Sequence, residues 1–415
     1  MKKEHQQRQN LLELAITEVS RGGMRELSLR RLASVAGTST TVIFQHFNGK
    51  GDLIRSALEV AILREKSFHD DLLTQASIYV KGFAGFADFL ANYIVLRPSM
   101  DAARFTSELL INLDDYPECH GLISGWHEDR RDFWNRVLLG TPSNPEFSDI
   151  VAQYVVMEEY YAFALQGDFA FGMLLAETAR AISDCAFHGG VARSEQSCTS
   201  AGLNVQPMSV GETGEAGHAS IKEQLLAEAK RVIDQHGLDA LNQRRITRSV
   251  GVSGSAISYY FGDMKTFRNR AIWRALINNV PSQLDPHSPL PDAPATMAQW
   301  LRALDEMLQP ATPESPSGFY IGFARLTAQA CLLSRQDPSL GPLISHLRAL
   351  EGWGTYRVSR SVPALSPLLR REHAAAYGAW IKAEALLRCM KLALPGPGTD
   401  HLKSAAKQIF PQRLT

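Results

Sequence analysis

An internal duplication governs what this chain can fold into. A shift of 214 positions aligns residues 11–57 with residues 225–271 without a gap. Twelve aligned positions are identical, and they include turn, basic and apolar residues: Gly23/Gly237, Arg30/Arg244, Arg31/Arg245, Ile43/Ile257 and Phe47/Phe261. The period is a whole domain, far longer than the roughly 20–50 residues of solenoid repeats, so the sequence predicts two copies of one domain type. The 415 residues suffice for two units, each with its own core.

A stretch poor in large apolar residues separates the two copies. Residues 188–220 are rich in glycine and serine, a composition typical of a flexible linker. The predicted order is a head, a body, the linker, a second head and a second body, with these bounds: 1–50, 51–187, 188–220, 221–264 and 265–415.

The pattern within each copy is helical. In the first copy, apolar residues from Leu12 to Val19 follow the i, i+3, i+4, i+7 spacing of an amphipathic helix. Ser28 and Ser39 are placed to cap a second and a third helix, and Gly37 turns the chain between them. This order predicts a helix-turn-helix with a supporting helix in front. About 130 residues of helical pattern without strand alternation follow each head, so the expected class is all-α.

The predicted third helix presents an unusual outward face. Ile43 and Phe47 share its packing side, and Thr41, Val42 and Gln45 point the opposite way. Methyl groups of Thr and Val can contact a thymine methyl, and a glutamine can bond an adenine edge in the major groove. Three further side chains are placed to touch phosphates or sugars: Phe44, His46 and Lys50. The sequence therefore predicts a DNA-reading helix.

The stretch "LSLRRLASVAGTSTTVIFQHFNGKGDLIRSAL" resembles the N-terminal signature of the TetR family of bacterial transcription regulators. Its elements appear in order: a small polar cap, an apolar helix ending in Ala-Gly, a serine before the recognition helix, an aromatic-x-His-Phe end, then lysine and leucine. The resemblance implies that the bases are read by Thr40, Thr41, Val42 and Gln45, and that phosphates are held by Phe44, His46 and Lys50.

The second copy, "LNQRRITRSVGVSGSAISYYFGDMKTFRNRAI", departs from this signature. Ser258 replaces the aromatic residue and Met264 replaces the lysine, with Lys265 one position late. Its predicted outward face is Ser255, Ala256 and Tyr259. The full set of candidate DNA contacts in this copy is Ser255, Ala256, Tyr259, Tyr260 and Lys265. Whether this copy contacts DNA or serves only as scaffold stays open at this point.

In the resembled family the last two helices of each protomer form a four-helix dimer interface. Here both protomers lie on one chain, so the expected architecture is an intramolecular pseudo-dimer of two TetR-like units, free to read unequal half-sites. Further dimerisation of whole chains stays open. The family also implies an effector pocket in the body, taken by a small hydrophobic or aromatic molecule. Candidate lining residues are large apolar or amphipathic groups, which are also common core residues: Tyr93, Phe105, Trp126, Met157 and Tyr160.

Charge and cysteine usage narrow the class of protein further. The chain has zero formal net charge, but residues 1–60 carry +3 and residues 221–275 carry +5, as expected for two modules that meet a polyanion. Five scattered cysteines favour neither a disulfide framework nor a zinc site, and fit a reducing cytoplasm. No apolar run approaches membrane-spanning length, and no metal or other cofactor is expected. The predicted location is the cytoplasm.

Enzyme signatures are weak in this sequence. "GVSGS" at 251–255 lacks the last glycine of a nucleophile elbow, and the cluster His127-Glu128-Asp129 has no second pair of metal ligands. We therefore expect no enzyme, but a regulator that binds double-stranded operator DNA, usually as a repressor released by its ligand. Two alternatives remain: a ligand-binding or partner-docking protein whose heads have lost DNA, and an unrecognised enzyme.

Overall fold

The computed structural model describes residues 2–80, 82–141, 146–188, 220–277, 294, 296–312, 317–359, 362, 369–392 and 398–410. All regular secondary structure in these ranges is helical, without a single strand, so the predicted all-α class is confirmed. Across the same ranges, no helix is both long enough and apolar enough to cross a membrane.

Nine α-helices form the described part of the first unit. They are α1 (Lys2–Gly22), α2 (Leu29–Val35), α3 (Thr40–His46), α4 (Lys50–Tyr79), α5 (Phe83–Leu96), α6 (Asp101–Ile111), α7 (His120–Val137), α8 (Phe147–Ala164) and α9 (Phe169–His188). Short 3₁₀ turns lie between α5 and α7, at Arg97–Ser99, Leu113–Asp115 and Pro117–Cys119.

Ten α-helices form the described part of the second unit. They are α10 (Ile221–His236), α11 (Gln243–Val250), α12 (Ala256–Phe261), α13 (Met264–Ile277), α14 (Met297–Met307), α15 (Phe319–Leu333), α16 (Gly341–Ala349), α17 (Trp353–Ser359), α18 (Arg371–Cys389) and α19 (Gly398–Ile409). Nearly all of the predicted linker, residues 189–219, lies outside the described residues. Its first residue, His188, ends α9, and its last, Ser220, caps α10.

The two heads are built alike. In each, the first helix packs against the second and against the long connecting helix that follows the third: α1 on α2 and α4, α10 on α11 and α13. Apolar side chains at matching positions are buried in both heads, as the repeat requires: Leu12/Leu226, Ala15/Ala229, Ile43/Ile257 and Phe47/Phe261. The shared sequence pattern thus produces the same local packing twice.

The helices α8 and α18 lie at the centre of the molecule. Every residue of α18 from Arg371 to Leu387 is buried, and α8 is buried along almost its whole length. A helix buried on all sides is a core element rather than a surface one. In this structure α8 packs on α18 and α15, α9 packs on α18 and α19, and α16 lies against both α8 and α9. The contact surface between the two units, which we call the joint, therefore includes α15 and α16 as well as the last two helices of each unit.

Two arginines cross the joint in opposite directions. Arg104 of α6 donates a hydrogen bond to the carbonyl oxygen of Leu332 at 2.5 Å, and Arg325 of α15 donates to that of Ile111 at 3.3 Å. Both donors and both acceptors are 221 positions apart in the sequence. The two bonds are therefore related as by a twofold axis between the units.

Buried charges also pair across the joint. The Arg348 guanidinium in α16 donates two hydrogen bonds to the Glu158 carboxylate in α8, at 3.0 and 2.8 Å, with both side chains almost fully buried. Nearby, the Tyr161 hydroxyl of α8 donates to Glu351 at 2.6 Å, and Lys382 Nζ lies 2.7 Å from the same carboxylate. Each charge thus has an opposite partner, as burial requires.

Candidate nucleic-acid interface

The third helix of the first head is held by local interactions that the sequence predicts. The Ser28 hydroxyl accepts a hydrogen bond from the Arg31 N–H, and the Ser39 hydroxyl accepts from the Val42 N–H at 3.3 Å. Gly37, at φ +62°, makes the left-handed turn between α2 and α3. Ile43 is fully buried, so α3 is fixed with the opposite face turned away from the head.

The predicted reading residues on that outer face are exposed to solvent to different extents. Thr41 and Gln45 are exposed, and Phe44 keeps 57% of its surface open to solvent. Three others are half-buried: Thr40, Val42 and His46. The exposed Phe44 ring and the exposed Gln45 amide are therefore both accessible to a partner on this face.

Two of the predicted phosphate contacts also have partners within the protein. Lys50, the first residue of α4, donates from Nζ to the Met24 carbonyl oxygen at 3.3 Å and lies over the Tyr116 ring. His46 Nε2 lies 3.4 Å from the Gln7 side-chain oxygen. The ammonium of Lys50 has three N–H donors, so the bond to Met24 leaves others for a phosphate.

The second head repeats the turn but shortens the helix. Gly251 makes the left-handed turn at φ +76°, and the Asn242 side chain caps α11 by accepting from the Arg244 and Arg245 N–H groups. The helix α12 then starts only at Ala256, and Ser255 before it makes no side-chain cap. The reading helix of this head is therefore both shorter and less well capped than α3.

The predicted outward face of the second head is partly wrong. Ala256 is only 8% exposed and belongs to the hydrophobic core, because it adjoins the buried Ile257 and its small side chain does not reach beyond the core. Tyr259 is 82% exposed and Ser255 is exposed, as predicted, while Tyr260 is half-buried against the core. Lys265 forms an ion pair with Asp337 at 3.1 Å.

Asp337 ties the start of the second connecting helix to its body. Burial would raise the pKa of this carboxyl, but hydrogen bonds from Ser339 and Lys265 hold the pKa below its ordinary value. The Arg268 guanidinium lies 3.3 Å from the same carboxylate. In the first unit, the matching turn before α7 contacts the start of α4 through Tyr116, which lies under Lys50.

Comparison with known proteins decides the family. The model of the bacterial regulatory proteins, tetR family, matches at residues 11–57 and again at residues 225–270. Each of the two units therefore begins with a TetR-family head. This family is one of DNA-binding transcription regulators with a helix-turn-helix. No curated protein matches the chain significantly.

Within the first TetR-like unit, the head meets its body at a buried carboxylate. Glu108 of α6 is 7% exposed and lies against Gly23, where a Cβ would stand 3.3 Å from its carboxylate oxygen. Burial raises the pKa of Glu108 to about 7, against the opposing effects of Arg104 and of the Met24 N–H. In the second TetR-like unit Gly237 meets Gln329 instead, and the two pairs occupy matching positions.

The body of the first TetR-like unit contains a cavity of about 380 Å³ between α4 and α7. Of the five predicted effector contacts, Trp126 lines this cavity. The other four are buried core residues that are absent from its wall: Tyr93, Phe105, Met157 and Tyr160. For example, the Tyr160 hydroxyl donates to the Ser107 carbonyl oxygen at 2.9 Å. The structure therefore does not bring the predicted set together.

Charged groups that sequence reasoning missed stand beside this cavity. Arg97 lies between the carboxylates of Glu65 and Glu159 at 2.6 and 2.9 Å, and Arg130 binds Glu159 through two hydrogen bonds. Burial would raise the pKa of Glu65, but Arg97 and Arg130 lower it to about 2. The Trp126 indole N–H donates to the same carboxylate at 2.9 Å. The only sequence signal was the presence of charges at helix positions that packing would bury.

Aromatic rings line the other side of the cavity. The His69 and Phe133 rings are stacked at 4.2 Å, and His69 Nε2 lies 2.9 Å from the Tyr93 hydroxyl. Burial lowers the pKa of His69 to about 3, so the imidazole is neutral at physiological pH. The cavity thus combines a flat aromatic wall with the edge of a buried ion cluster.

Proposed function

We propose that the chain is a ligand-released repressor that binds one operator as a single-chain pseudo-dimer. The observation that carries the proposal is the pairing of two TetR-like units through a joint with matched bonds from Arg104 and Arg325. A tethered second unit is present at an effective concentration on the order of millimolar, so pairing does not depend on the amount of protein made.

The two heads support an operator with unlike half-sites. A symmetric homodimer presents identical heads and reads a palindrome. In this chain the exposed reading residues differ, with Thr41 and Gln45 in the first head against Ser255 and Tyr259 in the second. The two ends of the operator are then free to differ in sequence.

The cavity in the first body supports an effector of mixed character. Its volume falls within the range of about 300–1,000 Å³ that is usual for small-molecule sites. Rings of Trp126 and Phe133 suit an aromatic or apolar part, while Arg130 and Glu65 suit a polar group. We propose an amphipathic aromatic effector rather than a purely hydrophobic one.

The test is a footprint of the purified protein on the DNA upstream of its own gene, with the molar mass of the complex measured in the same sample. One chain of 45.8 kDa that protects two unequal half-sites about 34–36 Å apart is the expected result. Two chains on a palindrome would contradict the single-chain pseudo-dimer. A lack of protection at low salt would favour a ligand-binding protein that has lost DNA.

A further inference from the structure

The second head carries a recess lined by four arginines. Arg231 comes from α10, and Arg244, Arg245 and Arg248 come from α11, with Glu228 and Ser249 completing the wall. All four arginines are exposed. Arg231 donates two hydrogen bonds, of 2.8 and 2.6 Å, to the Glu228 carboxylate. Among the described residues, Arg244 and Arg248 form no ion pair. We call this group the arginine recess.

The first head has no such surplus of charge. There Arg31 is neutralised by Glu18 and Glu26, at 2.7 and 3.0 Å. The second head holds Val232 and Ala240 at the positions of these two acids, 214 residues later. It also gains Arg231 and Arg248 where the first head holds Thr17 and Ser34, and Glu228 where the first holds Leu14. The corresponding surfaces therefore carry a formal charge of zero in the first head and of +3 in the second.

The arginine recess lies near the N-terminal end of the reading helix, α12. The Gln243 side chain, next to Arg244, donates a hydrogen bond to the Gly254 carbonyl oxygen at 2.5 Å, so the N-terminus of α11 adjoins that of α12. In a helix-turn-helix the second helix enters the major groove while the first crosses the sugar-phosphate backbone. Arg244, at the start of the first helix, is then next to phosphates, and Arg248 follows it one turn later on the same helix face.

The reading helix of the same head lacks the side chains that best distinguish bases. Its exposed side chains are Ser258 and Tyr259, with Ser255 just before it. Strong discrimination between base pairs comes chiefly from the forked or amide groups of Arg, Asn and Gln, and α12 has none of them. In α3 of the first head, Gln45 supplies such a group.

From these observations we infer that the second head is a phosphate clamp, in which the arginine recess holds the DNA backbone without reading its sequence. This inference rests on the proposed DNA-binding function and narrows it: the first head selects the site and the second adds affinity on any flanking sequence. Phosphate contacts of this kind position a protein on DNA and carry no sequence information.

The test compares the Arg244→Gln/Arg248→Gln variant with wild type in DNA binding as a function of salt concentration. Each lost phosphate contact lowers the salt slope by about 0.9, so two contacts lower it by about 1.8. The same relation gives a loss of affinity of about 30-fold at 0.15 M salt, shrinking towards 1 M. The loss is expected to be equal for operator DNA and for operator DNA whose flank on the second-head side has been scrambled.

A matched control separates this effect from a general change of charge. Arg302→Gln/Lys403→Gln removes two exposed positive charges from α14 and α19 in the second body, and we expect it to leave affinity and slope unchanged. Circular dichroism confirms that each variant is folded. If the control lowers the slope as much as the recess variant does, the effect belongs to the overall charge and the clamp is refuted.

Two further outcomes overturn the clamp while the proposed function stands. The first is an unchanged salt slope in the recess variant together with a loss of binding in Gln45→Ala. The second is a recess variant that loses affinity for one flanking sequence only, which would make the second head a reader. If wild type shows no salt-dependent binding to any DNA, the proposed function itself fails.

Discussion

Glu108 carries a carboxyl group where the second unit carries the isosteric amide of Gln329. The two residues are 221 positions apart, and each lies against the glycine that ends the first helix of its head. A buried carboxyl favours its protonated form, whereas an amide has no charge to lose. The two head-body junctions therefore respond differently to pH.

We expect Glu108→Gln to stabilise the protein in alkaline solution. Burial raises the folded-state pKa of Glu108 to about 7, above the ordinary value of 4.5, so the stability it confers is complete below pH 4.5 and is lost as pH rises through 7. The advantage of the variant in unfolding free energy is expected to grow by about 2–3 kcal/mol between pH 5 and pH 8. Urea unfolding at the two pH values measures it.

The second unit supplies the reverse experiment. Gln329→Glu places a carboxyl at the matching junction, which is only half-buried, and is expected to destabilise the protein over the same pH interval by a smaller amount. Parallel stability profiles for wild type and Glu108→Gln would show that the junction carboxylate is already solvated and charged in the folded state.

Gln45 is the exposed amide of the reading helix, and its loss is expected to change specificity. Gln45→Ala should lower discrimination at one base pair by about 1–3 kcal/mol, because a glutamine can bond both hydrogen-bonding groups of an adenine edge. Lys50→Ala, in contrast, should weaken binding to all sequences alike. Binding to a set of operators with single base changes measures both. An unaltered base preference in Gln45→Ala would mean that this residue does not read a base.

At the scale of elements, α18 and the turn before α17 approach each other through two glycines. A Cβ on Gly378, in the middle of α18, would stand 2.5 Å from the Gly352 backbone nitrogen. Gly352 itself has φ +68° and lies against the Ala374 backbone. No side chain fits in this contact, so the glycine in the helix interior is explained by packing and not by helix propensity.

Gly378→Ala is therefore expected to destabilise the protein by about 1–3 kcal/mol, the usual cost of overpacking. The matched variant is Gly322→Ala in α15, where a Cβ would meet nothing within 4 Å. There alanine should stabilise by about 0.8–1 kcal/mol through helix propensity alone. Thermal unfolding of the two variants gives opposite shifts if the contact is as described, and equal shifts would contradict it.

At the scale of the whole molecule, the joint depends on buried charges from both units. Glu158 from the first unit and Arg348 from the second are almost completely removed from water and bind each other directly. The Thr178 hydroxyl lies 3.2 Å from the same guanidinium. A lone charge left at this position is costly, so the pair favours association of the first unit with the second.

Replacement of one partner should reveal the pairing in solution. Arg348→Met leaves Glu158 buried without a cation and is expected to lower the free energy of unfolding by about 3–5 kcal/mol. The double variant Glu158→Met/Arg348→Met should recover most of that loss, since apolar residues of similar volume can replace a buried ion pair. Additive losses in the double variant would mean that the two residues do not meet, and that the units are apart in solution.

The sequence by itself determined the repeat, the all-α class and the helix-turn-helix heads. These features depend on interactions over a few residues, such as the Ser39 cap, the turn at Gly37 and the spacing that buries Ile43. They are therefore visible in a single stretch of chain. The family match at both repeats agrees with them.

Only the tertiary structure decided which distant residues meet. Glu158 and Arg348 are 190 positions apart, and no periodicity indicates that their helices cross. The predicted effector residues failed to converge for the same reason, because hydrophobicity marks a residue for burial without saying whether it faces a cavity or the core. Ala256 is buried because it adjoins Ile257 and its small side chain does not reach beyond the core. Such outcomes depend on how whole helices pack, and that is fixed by contacts between segments far apart in the chain.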